Sequence, residues 1–96
     1  YTESELRALA EVILEHPGIV VISDDIYERN VWKNLPFKNI VNACPELYDR
    51  TIVVNGVAKT YAMTGWRIGY VGGPVKIVAA MKKAQSQSTS NPTSIA

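Results

Sequence analysis

Lys59 is the residue of this chain whose surroundings best suit a nucleophile. It lies in the run NGVAKT, residues 55–60, among small side chains, and an arginine, Arg67, follows eight positions later. An amine that is withdrawn from water and held near a cation favours its neutral form, which can condense with a carbonyl group to a Schiff base. The alternative is a lysine whose apolar stem packs on the protein while its ammonium reaches solvent. The spacing of these residues alone leaves both interpretations open.

A second group of polar side chains follows an apolar run. Residues 19–22, IVVI, form a continuous β-branched stretch, which is typical of a strand covered on both faces in a parallel sheet. Ser23, Asp24 and Asp25 come directly after it, and Tyr27 lies three positions beyond Asp24. Ligands of open α/β sheets bind at the carboxyl ends of the strands. Asp24 and Tyr27 are therefore candidate binding residues, although Asp24 could instead cap a turn and Tyr27 could pack as a half-buried aromatic residue.

The two stretches that carry these residues resemble a known family. VISDDIYE, residues 21–28, and VNGVAKTYAMTGWRIGYVGGP, residues 54–74, are similar to the lysine region of the fold-type I pyridoxal-phosphate enzymes. The resemblance is to the class I aminotransferases, in particular the bacterial aspartate aminotransferases. It runs nearly end to end through the chain and covers about a quarter of such an enzyme, around the Schiff-base lysine.

The resemblance implies a role for each of the four candidate residues. Lys59 would carry pyridoxal 5′-phosphate as a Schiff base and, once released, would move a proton at the substrate α-carbon. Asp24 would hold the proton on the ring nitrogen, without which the coenzyme is a poor electron sink. Tyr27 would donate a hydrogen bond to the coenzyme's 3′-oxygen. Arg67 would bind the phosphate through its planar, two-pronged guanidinium.

Three positions depart from the family pattern. Many relatives carry a hydroxyl residue three positions before the lysine and a serine immediately before it, whereas this chain has Gly56 and Ala58. The missing hydroxyl groups leave more of the phosphate binding to Arg67. Asp25 stands where glutamate is common, and we expect its role to be structural. Gly56 and Gly65 are expected to permit backbone conformations or close approaches that a Cβ atom would obstruct.

The resemblance also implies an architecture and an activity. Residues 1–96 would form part of the large, PLP-binding domain of an α/β fold, with a mostly parallel sheet, one antiparallel strand and flanking helices; the small domain and the N-terminal part of the large domain would lie outside this chain. The implied reaction is transamination between an amino acid and a 2-oxo acid, with aspartate and 2-oxoglutarate expected, in a cytoplasmic homodimer. The alternatives are an aromatic or alanine aminotransferase, a carbon–sulfur lyase of the same fold, or an aminotransferase-like effector domain of a transcriptional regulator. We expect the isolated 96-residue segment to be inactive.

Local patterns predict the elements that must position these residues. Thr2 and Glu5 form a capping box before the helical spacing of Leu6 to Leu14, and His16-Pro17-Gly18 ends that helix. Strands are predicted at 19–22, 51–54 and 67–72, short helical turns at 38–43 and 46–49, and a helix from Pro74 to about Gln85. Only 12 residues separate the second and third strands, which favours an antiparallel pair over a helical crossover.

The composition sets limits on partners. The chain has 96 residues, 47% of them hydrophobic and 20% charged, with a formal net charge of +1, which is ordinary for a globular protein and gives no electrostatic reason to expect nucleic acid or a membrane surface as a partner. A lone cysteine, Cys44, cannot form a disulfide within the chain, which favours a reducing compartment. No second histidine or cysteine lies near His16, so no metal site is predicted.

Overall fold

The first helix is fixed at both ends by side chains. The structure, a computed structural model, describes residues 1–32 and 34–95. Helix α1 spans Glu3–Leu14 and opens with the predicted capping box, in which Thr2 and Glu5 exchange hydrogen bonds. At its other end the Arg50 guanidinium donates to the carbonyl oxygens of His16 at 2.9 Å and Ile13 at 3.4 Å. Both carbonyl oxygens also accept a backbone N–H, so the guanidinium adds a second hydrogen bond to each and links the end of α1 to a distant part of the chain.

Three strands form one mixed sheet in the order β1-β2-β3. Strand β1 spans Val21–Asp24, β2 spans Thr51–Gly56 and β3 spans Gly69–Gly72. Strands β1 and β2 are parallel, with Asp24 opposite Val54, and β2 and β3 are antiparallel, with Gly56 opposite Gly69. The antiparallel third strand is confirmed. Strands β1 and β3 each begin two residues later than predicted, so Asp24 is the last residue of β1 rather than a residue beyond it.

The core lies on one face of this sheet. Helix α2, Ile40–Ala43, and a 3₁₀ helix, Pro45–Arg50, occupy the predicted turn region between β1 and β2. Their apolar residues pack against the inner face of α1. The buried cluster consists of Leu6, Ala10, Ile13, Ile40, Ala43, Cys44 and Leu47, with Val21 of β1 packed against it.

The opposite face of the sheet is open along β1. Ile22, on that face, is 68% exposed, whereas its neighbour Ile52 in β2 is buried. The prediction that β1 is covered on both faces is therefore wrong for the described residues. Helix α3, Val75–Ser86, matches the predicted helix, but among the described residues it contributes no buried side chain. None of the three α-helices in the described ranges has the length and apolar character that crossing a bilayer requires.

Candidate active site

The sheet topology brings three separate chain segments to one edge. Asp24 ends β1, and Lys59 comes three residues after the end of β2, which runs parallel to β1. Because β3 is antiparallel to β2, its first residue, Gly69, lies opposite the last residue of β2. Arg67, two residues before Gly69, therefore lies at the same edge. This is the edge at which parallel sheets present ligand-binding residues.

Asp24 and Tyr27 are held by a tight turn. Oδ1 of Asp24 accepts a hydrogen bond from the Ile26 N–H at 3.3 Å, an arrangement typical of an aspartate that begins a turn. Asp24 shares a face of β1 with Ile22, because alternate residues of a strand point the same way, and both side chains are exposed. The Tyr27 side chain is 56% exposed. Neither functional group is buried, so both remain available to a ligand.

The loop that carries Lys59 is hydrogen-bonded to the turn that carries Tyr27. A single helical turn surrounds Lys59, since the Tyr61 N–H donates to the Val57 carbonyl oxygen at 3.2 Å. The Thr60 hydroxyl donates to the carbonyl oxygen of Ile26 at 3.4 Å, which ties the two segments together. Nζ of Lys59 lies 5.9 Å from the centroid of the Tyr27 ring, at the outer limit of a cation–π contact. Two of the four predicted residues are thus in contact.

Arg67 occupies a backbone conformation that its residue type seldom adopts. Its φ of 55° and ψ of 42° are left-handed, and Ala62 in the same loop has a φ of 53°. Such conformations cost a non-glycine residue about 1 kcal/mol or more and collect at functional sites. One guanidinium nitrogen of Arg67 donates to the Thr64 carbonyl oxygen at 3.1 Å. The side chain forms no ion pair within residues 1–32 and 34–95, so its charge is available to an anion.

The two glycines that the sequence singled out behave differently. A Cβ atom on the buried Gly56 would lie 2.9 Å from the Ile68 carbonyl oxygen and 3.2 Å from the Ile26 side chain, whereas one on Gly65 would meet no atom of the described residues within 4 Å. Neither glycine has a positive φ. The prediction holds for Gly56 as a close approach and is wrong for Gly65. The residues of this loop with left-handed backbone conformations are Ala62 and Arg67 instead. Because neither is a glycine, nothing in the sequence indicated these conformations.

The described residues leave the site open to solvent. Lys59, Asp24 and Arg67 are all exposed, so the apolar enclosure predicted for the amine is not supplied by this part of the chain. A groove of about 470 Å³ between α1, β1 and residues 30–32 and 35–40 is lined in part by Asp24, but neither Lys59 nor Arg67 lines it. Within the described ranges, no three His, Cys, Asp or Glu side chains converge as a metal site requires.

Sequence comparison and fold comparison agree on the class of protein. The family model for aminotransferase class I and II matches residues 1–96, and the chain belongs to that family. Among curated relatives, an aspartate/prephenate aminotransferase of Nitrosomonas europaea is 56% identical over 96 residues, which cover all of this chain and 24% of the relative. An aspartate aminotransferase of Geobacillus stearothermophilus is 50% identical with the same coverage.

Solved structures show the same fold. The aspartate aminotransferase from Rhizobium meliloti superposes with a TM-score of 0.95 at 48% identity, over 99% of this chain and 24% of that one. An aromatic aminotransferase from Pyrococcus horikoshii gives a TM-score of 0.87 at 37% identity, over 95% of this chain and 24% of that one. The chain spans about a quarter of the length of the relatives it matches. The α/β fold expected from the sequence is confirmed.

Proposed function

We propose that the complete protein containing this chain catalyses pyridoxal-phosphate-dependent transamination, and that these residues form its coenzyme-binding edge. The observation that carries the proposal is the convergence of Lys59, the Asp24–Tyr27 turn and Arg67 at one edge of the sheet, with Nζ of Lys59 lying 5.9 Å from the Tyr27 ring centroid. Membership of the aminotransferase class I and II family supports it.

The chemistry of the available donors suits this coenzyme. Pyridoxal phosphate, when bound, supplies an electron sink that depends on an aldehyde, a protonated ring nitrogen and an anchored phosphate. The chain offers an exposed amine at Lys59, a carboxylate at Asp24 and, at Arg67, a guanidinium that has no ion-pair partner among residues 1–32 and 34–95. Each group complements one of those three features, and the half-exposed Tyr27 hydroxyl can donate to the ring oxygen.

Each residue then has a defined task. Lys59 would hold the coenzyme covalently through Nζ; once the amine of the substrate displaces Nζ, the freed lysine amine would carry a proton to and from the α-carbon of that substrate. One carboxylate oxygen of Asp24 accepts a hydrogen bond from the Ile26 N–H, and the charge of this carboxylate would keep the ring nitrogen of the coenzyme protonated. Arg67 fixes the phosphate, because a guanidinium matches phosphate oxygens in both charge and geometry. The helical turn that carries Lys59 places the amine over Tyr27, beside the turn that begins at Asp24.

The substrates we propose are aspartate as amino donor and 2-oxoglutarate as acceptor. Support comes from relatives at 47–56% identity, several of which are named aspartate aminotransferases. Prephenate is a second acceptor to consider, because relatives at 56% and 54% identity are named aspartate/prephenate aminotransferases. An assay of the complete protein with aspartate and each acceptor in turn decides between them; transfer from aromatic donors alone would contradict the proposed donor.

Coenzyme attachment is tested on the complete protein with pyridoxal phosphate. Borohydride reduction should abolish the near-visible absorbance band and leave a phosphopyridoxyl group on Lys59, which peptide mass spectrometry locates. A Lys59→Ala variant should lose the reducible band. Lys76→Ala, which removes an exposed lysine of α3, is the matched control and should keep it. A band that survives dialysis in Lys59→Ala, or an adduct on another lysine, would show that this amine is not the attachment point.

The remaining features of the complete protein are also proposals. We propose that residues 1–96 form part of the large domain and that the complete protein is a cytoplasmic homodimer. Size-exclusion chromatography with light scattering measures the oligomeric state, and a monomeric active enzyme would contradict it. The 96-residue segment alone should show little or no turnover, because the described residues leave Lys59 exposed and active sites of this kind depend on excluding water.

A further inference from the structure

Asp25 is the most fully bonded residue beside the candidate site. It is only 5% exposed, and each of its polar groups has a partner. Its N–H donates to the Val54 carbonyl oxygen of β2 at 2.9 Å, and its own carbonyl oxygen accepts from the Glu28 N–H at 2.9 Å. Its carboxylate accepts from the Ser23 hydroxyl and from the Asn39 side-chain amide, both at 2.7 Å. A buried carboxylate is retained only where such partners offset its lost hydration.

These hydrogen bonds connect the turn after β1 to strand β2 and to the start of helix α2. Through Val54 the residue joins β1 to the strand that leads to Lys59, and through Asn39 it joins the start of α2. Asp24 precedes Asp25 directly and Tyr27 follows two positions later, yet both of those side chains are exposed. Packing of their own side chains therefore contributes little to holding them, and the backbone on either side of Asp25 determines where they lie.

We propose that Asp25 is a positioning residue that orients Asp24 and Tyr27 toward the coenzyme, an inference that rests on the proposed function above. Asp25 is buried, and its two carboxylate oxygens already accept from Ser23 and Asn39, so the side chain is not exposed to a ligand. Asp25 therefore acts through its neighbours in the chain. To do so it needs one carboxylate oxygen facing the Ser23 hydroxyl and the other facing the Asn39 side-chain amide. Hydrogen bonds of 2.7 Å to a carboxylate in a buried site are among the stronger ones that proteins form.

The hydrogen bond between Asn39 and Asp25 can be tested by exchanging the amide and the carboxylate between the two positions. Asn39 uses its Oδ1 to cap α2, accepting from the Asn42 N–H at 3.0 Å, and its Nδ2 to reach Asp25. Asn39→Asp keeps the cap but sets two carboxylates against each other, which is costly in a buried site. In the double variant Asp25→Asn/Asn39→Asp, the new amide nitrogen at position 25 can donate to the new carboxylate at position 39, and the new amide oxygen can still accept from the Ser23 hydroxyl. All three hydrogen bonds can then form again.

The test uses the complete protein in four forms: wild type, Asp25→Asn, Asn39→Asp and the double variant Asp25→Asn/Asn39→Asp. For each, the dissociation constant for pyridoxal phosphate, the absorbance maximum of the bound coenzyme and the unfolding temperature of the coenzyme-free form are measured, with titrations run well below that temperature. Asn39→Asp should weaken coenzyme binding about tenfold, within the range for coupled neighbours, and shift the absorbance maximum. Asp25→Asn/Asn39→Asp should restore both values.

A purely structural role for Asp25 predicts a different pattern. The unfolding temperature of Asn39→Asp would fall, while the coenzyme affinity and the absorbance maximum of the folded protein would match wild type; that result overturns the proposal. Failure of the double variant to restore affinity also overturns it. If Asn39→Asp does not fold, Ser23→Ala, which deletes one donor without adding charge, decides the question, and unchanged affinity there counts against the proposal.

The test separates this inference from the proposed function. Wild-type protein that takes up no pyridoxal phosphate, or that forms no reducible adduct on Lys59, contradicts the proposed function whatever the variants do. Wild-type protein that binds the coenzyme while Asn39→Asp and Ser23→Ala bind it equally well contradicts only the role given to Asp25.

Discussion

Replacing Gly56 by alanine tests whether the junction between β2 and the Lys59 loop is as closely packed as the structure shows. A Cβ atom at this position would lie 2.9 Å from the Ile68 carbonyl oxygen, where ordinary contact begins at 3.4 Å. The Ile26 side chain, at 3.2 Å, can rotate away, but a backbone carbonyl oxygen cannot. The chain before β3 must therefore retreat by about 0.5 Å, the difference between the 2.9 Å separation and the 3.4 Å of ordinary contact.

The retreat has an energetic cost that can be sized. The Ile68 carbonyl oxygen accepts from the Val57 N–H at an already long 3.3 Å, and losing that bond costs about 1 kcal/mol. Overpacking of this kind costs about 1–3 kcal/mol. The reduced entropy of the unfolded chain offsets about 0.4–1 kcal/mol. Gly56→Ala should therefore lower the free energy of unfolding by about 1–3 kcal/mol.

Urea unfolding of the complete, coenzyme-free protein measures this change, and Gly65→Ala is its control. A Cβ atom on Gly65 meets nothing within 4 Å, and its φ is not positive, so that variant should match wild type or gain up to about 1 kcal/mol. Coenzyme affinity should fall in Gly56→Ala alone, because the displaced chain before β3 carries Arg67, the proposed phosphate-binding residue. Equal stability of the two variants would refute the steric argument.

Three further variants test other parts of the structure. Arg50→Ala should lower the free energy of unfolding by about 1–3 kcal/mol, because its guanidinium donates to the Ile13 carbonyl oxygen in α1 and to the His16 carbonyl oxygen just beyond it. Arg29→Ala, which removes an exposed arginine, should change the free energy of unfolding little, and equal losses for the two variants in urea unfolding would argue against this role of Arg50. Burial raises the pKa of the Cys44 thiol above its ordinary value of 9.0, so its stabilising contribution is complete below that pH and is lost as the pH rises further. Cys44→Ala should therefore flatten the decline of stability above pH 9.0, and an unchanged slope would exclude the thiol as its source. Tyr27→Phe keeps the ring near Lys59 but deletes the hydroxyl, so pyridoxal phosphate should bind about tenfold more weakly; a dissociation constant equal to that of wild type would remove the hydroxyl from the site.

Most of the secondary structure could be predicted from local patterns. The capping box of Thr2 and Glu5 marks where α1 begins, and Pro74 marks the start of α3, which runs over Val75–Ser86. Such signals lie within a few residues of one another, so the sequence displays them directly. The strand boundaries shifted by about two residues, because pairing with a neighbouring strand, rather than propensity, decides where a ladder begins and ends.

The candidate site was found by resemblance and not by spacing. Lys59 among small residues by itself favoured a lysine that merely reaches solvent, and only the family pattern shared with Asp24, Tyr27 and Arg67 favoured a coenzyme. The roles of these four residues stay predictions. The apolar enclosure expected for Lys59 is not provided by the described residues, since neighbours in sequence do not by themselves bury a side chain.

The sequence by itself determined the helices, the number of strands, the antiparallel third strand and the family to which the chain belongs. The tertiary structure alone decided that Asp25 links two strands and α2, that Gly56 has no room for a side chain while Gly65 has ample room, and that Arg50 closes α1. The physical reason is distance along the chain. Arg50 and Asn39 meet partners 14 to 37 residues away, and local sequence patterns, which span only a few residues, do not display such contacts.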